Sequence, residues 1–436
     1  MGAGLVVVLA GGLLVWRPWA APDPCAEALT PVEHGGSGVP VADVAEPGAL
    51  TVLEAPQAPF GPVRAVIPET RSAQPLLGGI VVDEAGNGDA DIVATDAATG
   101  KQLWAFEQSG ISYGSAKVGG ELVMLQRPED SQATAVRVDL KSGEVRGCTV
   151  LGHSEGESER ERATAGTTVT VADNQVALLR WADDKATLNV IDPALGEPLL
   201  TSRVDLPPSF EYGKAAGDTI VFGVAGPDAT SAWELVTDPR GGRTPESLRL
   251  YAFSAKNGEP LWDYGHEDFA QQLVATTATE IVVRSTRHDE KRDVFENRVA
   301  VLDAATGEEN WSAELPDSSP VYYEQAVLHG DVLITSDSDP ERGTHAFLTG
   351  RDLASGEQLW QIENKIIALH QSAAVGDLAL IPGYERRGIE VVDIRTGESR
   401  TAFDGVSVSQ VSADDTVIGL RALLDGEPSL VAYDRA

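Results

Sequence analysis

The sequence predicts an all-β fold, an eight-bladed β-propeller of four-stranded antiparallel blades. Two observations predict it: a turn motif that recurs about every 48 residues, and a series of short apolar strands that precedes the motif in each unit. Repeats of this length, with four short strands each, are typical of propeller blades, because closing them into a ring protects the strand edges.

The turn motif is an Asp that ends an apolar strand, followed four positions later by a Gly. The Asp carboxylate can accept hydrogen bonds from the turn backbone, and Gly adopts the positive φ that closes the turn. The copies are Asp96 and Gly100, Asp139 and Gly143, Asp192 and Gly196, Asp303 and Gly307, Asp352 and Gly356, and Asp393 and Gly397. Ser254 to Gly258 is a variant copy, and an eighth copy begins at Asp434.

A tryptophan stands four residues after the Gly in four of the copies, at Trp104, Trp262, Trp311 and Trp360. A large flat side chain at the same place in several units is expected to pack against the neighbouring unit. The copies that reach this position at Gly147, Leu200 and Thr401 lack the Trp. We therefore assign these tryptophans a structural role.

The second strand series gives the same count of units as the turn motif. Its members are residues 77–80, 121–124, 175–178, 218–221, 280–283, 331–334, 377–380 and 415–418. The sequence stops two residues after Asp434, so the last unit lacks its outermost strand. We expect an N-terminal strand near residues 63–67 to supply it and to close the ring.

Three regions are predicted along the chain: residues 1–19, 20–59 and 60–436. The first contains an apolar run, Leu5 to Trp16, which is short for a full membrane span and has no basic residue before it or small-residue cleavage site after it. We expect an uncleaved single-pass anchor, with the propeller outside the cytoplasm. The alternative is a cleaved signal peptide and a secreted protein. Residues 20–59, rich in Pro, Gly and Ala, are predicted to be a tether.

The two cysteines are Cys25, in the predicted tether, and Cys148, on the predicted outer strand of the second unit. Both can meet at the rim of the propeller, where a bridge would hold the tether. A disulfide fits an exported protein, and the alternative is two unpaired thiols.

The charge balance excludes some partners. The formal net charge is −34, which repels nucleic acid and anionic membrane surfaces. We expect a monomeric propeller that meets the membrane only through its N-terminal segment. Its expected partner is an unidentified protein or small ligand at the cell envelope.

Most chemical motifs in the sequence have a simpler explanation. Gly110 to Gly114 matches the nucleophile elbow of serine hydrolases, but it lies between predicted strands and no helix follows it. Residues 83–91 resemble a calcium loop, although an Asn-Gly hairpin turn explains them better. The seven histidines show no metal-ligand spacing. We predict no metal site.

Residues 94–104 and 252–262 resemble the repeat of the pyrroloquinoline-quinone (PQQ)-like β-propellers. The resemblance covers roughly residues 60–436 and implies the propeller fold. That family includes quinone-dependent alcohol and glucose dehydrogenases. It also has a non-catalytic branch, which includes the propeller lipoprotein of the outer-membrane β-barrel assembly machine and is the branch that this chain resembles.

The dehydrogenases of this family carry an adjacent Cys-Cys pair, a set of calcium-binding carboxylates and a catalytic Asp in a longer chain. Here no two cysteines are adjacent and no matching calcium motif is present. We expect no catalytic residues, no enzymatic activity and no bound cofactor. A PQQ-dependent oxidoreductase is the alternative.

The expected function is that of a non-catalytic module for protein interaction or ligand sensing. Long charged loops between the second and third strands, at 225–247, 285–297, 336–345 and 382–388, gather on one face, and loops on a rigid scaffold often bind partners. The candidate binding residues are Trp233, Arg240, Arg287, His288, Arg342, Tyr384, Arg386 and Arg387. Acidic residues are interleaved with them, so solvated loops are one alternative. A binder of a small molecule or cell-wall glycan is another.

Overall fold

The chain forms antiparallel β-sheets throughout the residues that the computed structural model describes. These are residues 29–31, 39–40, 59–68, 76–84, 92–108, 111–127, 134–150, 167–172, 175–182, 185–191, 198–204, 210–224, 249–265, 269–289, 291–292, 294–318, 325–339, 344–363, 369–383, 388–424 and 427–436. Some strands are apolar on both faces, as at Val299, Ala300 and Val301, which are all fully buried because the sheet is packed on both sides.

Six sheets are simple four-stranded meanders, in which each strand pairs with the next along the chain. The first three contain β7 (Ile111–Val118), β8 (Glu121–Arg127), β9 (Thr134–Asp139) and β10 (Val145–Val150); β11 (Thr167–Ala172), β12 (Gln175–Ala182), β13 (Lys185–Ile191) and β14 (Pro198–Val204); and β15 (Phe210–Ala216), β16 (Thr219–Val224), β17 (Arg249–Ser254) and β18 (Pro260–Tyr264). The next three contain β19 (Ala270–Thr276), β20 (Glu280–Asp289), β21 (Val294–Asp303) and β22 (Glu309–Ser318); β23 (Gln325–His329), β24 (Val332–Asp339), β25 (Thr344–Asp352) and β26 (Gln358–Glu363); and β27 (Ala373–Val375), β28 (Leu378–Pro382), β29 (Ile389–Asp393) and β30 (Ser399–Ala402). A 3₁₀ turn, Leu369–Gln371, precedes β27.

Two further sheets combine the N-terminal part of the chain with later strands. The first sheet has the order β1-β6-β5-β4, with β1 (Leu29–Pro31), β4 (Ile80–Glu84), β5 (Ile92–Asp96) and β6 (Gln102–Gln108). The closing sheet has the order β2-β3-β33-β32-β31, with β2 (Val39–Pro40), β3 (Phe60–Pro68), β31 (Val408–Ala413), β32 (Val417–Leu424) and β33 (Glu427–Arg435).

The prediction of eight four-stranded blades is wrong. The described strands form seven four-stranded blades, and the remaining sheet, the closing sheet, has five strands. The fifth strand arises because β2 adds to the outer edge of β3. In the first sheet β1 takes the outermost place and is one of its four described strands. An uncovered outer strand presents unpaired N–H and C=O groups, which a passing segment can satisfy. Both added strands come from the segment that was predicted to be a tether.

The core lies between neighbouring sheets and continues around the ring. For example, Val301 of β21 packs with Leu333 and Leu353 of the next sheet, while Ile334 packs with Val392 of the sheet after that. The ring is completed where the closing sheet packs on the first sheet, in a cluster that contains Val81, Ala97, Val417, Leu430 and Ala432.

The two ends of the chain meet in the closing sheet. Strand β3 pairs with β33, with Val63 opposite Tyr433 and Ile67 opposite Leu430, so the strand expected near residues 63–67 is present. Arg64 donates a hydrogen bond to the Asp434 carboxylate. The ring of Phe60 stacks edge-on against Phe403, with their centroids 4.9 Å apart, and also contacts Tyr433. These contacts bind the N-terminal strand to the C-terminal one.

The repeat tryptophans join consecutive sheets, as expected. The indole N–H of each one donates to the backbone carbonyl that follows the Asp of the next turn: Trp104 to Leu140 (2.9 Å), Trp262 to Ala304 (3.0 Å), Trp311 to Leu353 (2.6 Å) and Trp360 to Ile394 (2.7 Å). Each ring also lies flat against the Gly of that turn. A Cβ added to Gly143 would lie 2.5 Å from Trp104, so Gly is required both for its φ of 70° and for the close approach.

The repeat aspartates bind their own turns. The Oδ1 atoms of Asp96, Asp139, Asp303, Asp352 and Asp393 each accept a hydrogen bond of 2.7–2.9 Å from the backbone N–H three residues later. Backbone and side-chain hydrogen bonds from Ser142, aided by Arg146, lower the pKa of Asp139 to about 2. The copy Asp192 and Gly196 lies outside the described residues.

Candidate interaction face

The two faces of the ring carry different connections. The Asp-to-Gly turns lie beside the hairpins that join the first and second strands: the Leu353 N–H donates to the Asp331 carbonyl, and the Ile394 N–H donates to the Asp377 carbonyl. The hairpins between second and third strands therefore lie on the opposite face, as predicted. That opposite face, which we call the loop face, holds Arg287 among the candidate binding residues.

The hairpin β20–β21 forms one part of the loop face. Each of its strands has ten residues, and pairing continues to His288 opposite Phe295 and Asp289 opposite Val294. Long alternating strands with a short connection produce such a projecting hairpin. It brings Arg287 and Arg292 to the surface.

Arg287 is held on two sides. Its Nε donates to Glu296 Oε2 at 2.8 Å, and its guanidinium lies over the Phe269 ring, 4.7 Å from the ring centroid. Arginine above an aromatic face gains a cation–π interaction in addition to the ion pair. The side chain remains 40% exposed.

Arg292 connects three carboxylates. Its Nε and Nη1 lie 2.6 Å from Asp289 Oδ2 and from Asp317 Oδ2, and its Nη2 donates to Glu296. The hydrogen bond from Arg292 lowers the pKa of Asp289, and the same bond raises the pKa of Arg292. With Arg287, this hairpin network contains two cations and three anions.

A buried polar layer supports the hairpin from below. Arg284, only 4% exposed, donates through Nη2 to Asn297 Oδ1 at 3.0 Å, and Asn297 donates through Nδ2 to the backbone carbonyl of Phe295 at 3.1 Å. Beside it, Tyr264 donates to Glu309 Oε1 at 2.8 Å, and burial, reinforced by Glu309, raises the pKa of Tyr264. Hydrogen-bonded polar layers of this kind hold strands rigidly.

The predicted cationic patch is only partly tested. The side chain of Arg287 is described and is ion-paired, and for His288 the backbone alone is described. The other candidates lie outside the described residues: Trp233, Arg240, Arg342, Tyr384, Arg386 and Arg387. Arg284, Asn297 and Phe269 were not predicted. The signal for the first two is a polar residue at a buried position of an otherwise apolar strand.

Two titratable side chains on innermost strands are also largely buried. Burial lowers the pKa of Lys214, on β15, below its ordinary value. Burial likewise lowers the pKa of His329, on β23, to about 4, and its Nε2 lies 3.0 Å from Oγ of Ser372, the residue just before β27. His329 is therefore neutral at physiological pH.

Cys148, on the outer strand β10, forms a disulfide. Since the sequence has only one other cysteine, the partner is Cys25, which itself lies outside the described residues. Of the candidate calcium loop, residues 85–91 are likewise undescribed. No helix in the described ranges is long and apolar enough to cross a membrane, and the predicted anchor, residues 1–19, is not among those ranges.

The fold and the contacts between its sheets define a β-propeller whose blades are joined by a repeated Trp-on-Gly contact. Residues 57–183 and 184–436 match the family model described as outer membrane protein assembly factor BamB. The chain belongs to this PQQ-like β-propeller family. It has no match among curated proteins.

Solved structures with the same fold include natural and designed propellers. The Dos1 propeller is 12% identical with a TM-score of 0.53, covering 86% of this chain and 95% of its own. The quinohemoprotein alcohol dehydrogenase of Comamonas testosteroni is 10% identical with a TM-score of 0.51, covering 88% and 79%. The computationally designed Ika8 protein is 16% identical with a TM-score of 0.52, covering 84% and 99%. At these identities the similarity shows the fold alone.

Proposed function

We propose that this protein is a non-catalytic β-propeller module that binds a partner protein at the cell envelope through its loop face. The observation that carries the proposal is the match, over residues 57–436, to a family described by an outer-membrane protein assembly factor. Function in propellers resides in sites placed on the common scaffold, so the proposal names a surface as well as a fold.

The hairpin network is the part of the loop face that best suits a protein partner. Arg287 and Arg292 are half-exposed and held in place by Glu296, Asp289, Asp317 and the Phe269 ring, so little side-chain entropy is lost when they bind. Arginine beside an aromatic ring is also the composition enriched at protein interfaces. The partner expected here has carboxylates or backbone carbonyls that approach the exposed parts of these two arginines.

A non-catalytic role is supported by the use of the repeat carboxylates. The described repeat aspartates accept hydrogen bonds from their own turns, at the face opposite the loop face, so they do not form a set of cation ligands. A location outside the cytoplasm is supported by the disulfide at Cys148, because such bonds persist in oxidising compartments. Attachment through residues 1–19 is part of the same proposal.

The test is a cross-linked capture of partners from the cell envelope with charge-reversed variants. Arg287→Glu with Arg292→Glu reverses two cations on the loop face. Lys256→Glu with Arg395→Glu makes the same charge change at exposed turns on the opposite face. A recurrent partner lost only with the first pair is the expected result.

Retention of that partner by both variants, or its loss from both, would exclude the hairpin as the binding site. Absence of any specific partner would contradict the interaction role. A separate titration with PQQ and calcium, followed by dye reduction with alcohols and sugars, tests for catalysis. Turnover in that assay would overturn the non-catalytic proposal.

A further inference from the structure

Three parts of the N-terminal region lie at the rim on consecutive sheets. Strand β1 lies on the first sheet, β2 lies on the closing sheet, and the disulfide partner of Cys148 is held at the sheet of β7–β10. We propose that β1, β2 and this disulfide form a rim strap that fastens the closure of the ring and that reduction of the disulfide releases it.

Strand β1 is seated on the outer edge of β6. Leu29 lies opposite Gln108, and Pro31 lies opposite Phe106, in an antiparallel pair. The Leu29 side chain is only 8% exposed and belongs to the same hydrophobic cluster as Ile92, Phe106 and Cys148. A leucine buried in this way anchors the strand, whereas the Thr30 and Pro31 side chains are exposed.

The disulfide lies next to this anchor. Cys148 pairs with Val136 across β9 and β10, and it packs on the cluster that contains Leu29. Its partner Cys25 precedes Leu29 by four residues, a distance of at most about 14 Å in an extended chain. The bond therefore ties the start of β1 to the neighbouring sheet.

Strand β2 carries the strap to the other side of the closure. It follows β1 by seven residues and pairs with β3, with Val39 opposite Val66 and Pro40 opposite Ala65. Since β3 belongs to the closing sheet and β6 to the first sheet, one short segment is paired with both sheets that meet at the closure.

The strap needs the disulfide because its strands are short. Pairings of three and two residues are too small to persist alone, and a covalent link keeps β1 at high effective concentration beside its edge. Pro31 and Pro40 suit this position, because proline has no N–H and is tolerated at the outermost edge of a sheet. The strap therefore covers two edges, and its prolines leave fewer N–H groups on the new outer edges.

Release is a two-electron reduction. A dithiol reductant attacks the sulfur–sulfur bond, forms a mixed disulfide with one cysteine and then closes its own disulfide. Cys25 and Cys148 each leave as a thiol with one proton, and the reductant is oxidised. After this exchange, the described contacts that remain to β1 are its three-residue pairing and the Leu29 contact.

Hydrogen exchange of the full chain, followed by mass spectrometry, tests the strap. With dithiothreitol, or in Cys148→Ser, the amides of β6 at residues 106–108, which β1 covers, should exchange about tenfold faster because this part of the outer edge opens. The outer strand Gln358–Glu363 of another sheet should be unchanged. In the oxidised protein, Leu29→Ser should reproduce the change at β6 with the disulfide intact.

Two results would overturn the proposal. Unchanged exchange at β6 after reduction would show that the disulfide does not hold β1. Equal acceleration in β6 and in Gln358–Glu363 would show a general loss of stability rather than release of a strap.

Discussion

Replacement of Gly143 by Ala tests whether the Trp-on-Gly contact holds neighbouring sheets together. The added Cβ would lie 2.5 Å from the Trp104 ring, and the residue would have to keep a φ of 70°. Gly119→Ala is the matched control in the same sheet, because its φ is also positive, at 60°, but no atom lies within 4 Å of its added Cβ.

The expected magnitudes follow from these two geometries. Holding Ala in the left-handed region costs about 1–2 kcal/mol in both variants. The reduced entropy of the unfolded chain returns about 0.4–1 kcal/mol to both. Only Gly143→Ala also forces the indole to move, which costs about 1–3 kcal/mol as overpacking. The two variants should therefore differ by that last amount in the free energy of unfolding.

The measurement is guanidinium unfolding monitored by circular dichroism, so that no tryptophan signal is required. Adding Trp104→Gly completes a double-mutant cycle. It removes both the ring and the Trp104 Cβ, which would lie 2.6 Å from the added Cβ, so it should reduce the cost of Gly143→Ala to that of Gly119→Ala. Equal destabilisation by Gly143→Ala and Gly119→Ala would refute the reasoning. So would additivity of Trp104→Gly and Gly143→Ala.

Three further predictions concern other described residues. The pKa of His329 is lowered from 6.5 to about 4, so the unfolded chain binds the proton more readily than the folded one. Acidification from pH 6.5 to 4 should therefore remove up to ~3 kcal/mol from the free energy of unfolding. The variant His329→Gln should flatten this part of the pH profile of unfolding. The lowered pKa of Asp139 affects stability at lower pH. Its contribution to the free energy of unfolding is present above pH 4 and is lost as the pH falls towards 2. The variant Asp139→Asn should therefore lose less stability between pH 4 and 2, and an unchanged slope would contradict the assignment. Phe60→Ala should lower the free energy of unfolding by about 3–5 kcal/mol, because its ring packs against Phe403 and Tyr433. The control Leu261→Ala, at a side chain that is 44% exposed, should have little effect. Similar losses in the two variants would argue against the aromatic closure.

The elements that repeat could be predicted from the sequence. The Asp and Gly of each turn and the Trp that follows obey local rules of turn geometry and packing, and recurrence at a fixed period separates them from chance. The closing strand was predictable for a related reason: the last unit has too few strands, and residues 63–67 alternate as a strand does. Each inference depended either on a motif that repeats along the chain or on a unit that lacks a strand.

The strands β1 and β2 could not be predicted in this way. Leu-Thr-Pro and Val-Pro have no strand signal of their own, and they are extended because an outer edge of a distant sheet accepts them. The role of Arg287 was missed for a similar reason. Interleaved charges in a loop do not reveal which carboxylate an arginine will meet, and the pairing with Glu296 follows from cross-strand register.

The Trp-on-Gly contact has a direction: each tryptophan enters the turn of the unit that follows it, never that of the unit before. Such an interface is heterologous, and it joins any unit carrying the Trp to any unit carrying the Gly. Whole units can then be duplicated or lost during evolution without breaking the contacts on either side. The aromatic closure at Phe60 does not repeat in this way, because it joins the N-terminal strand to the last unit.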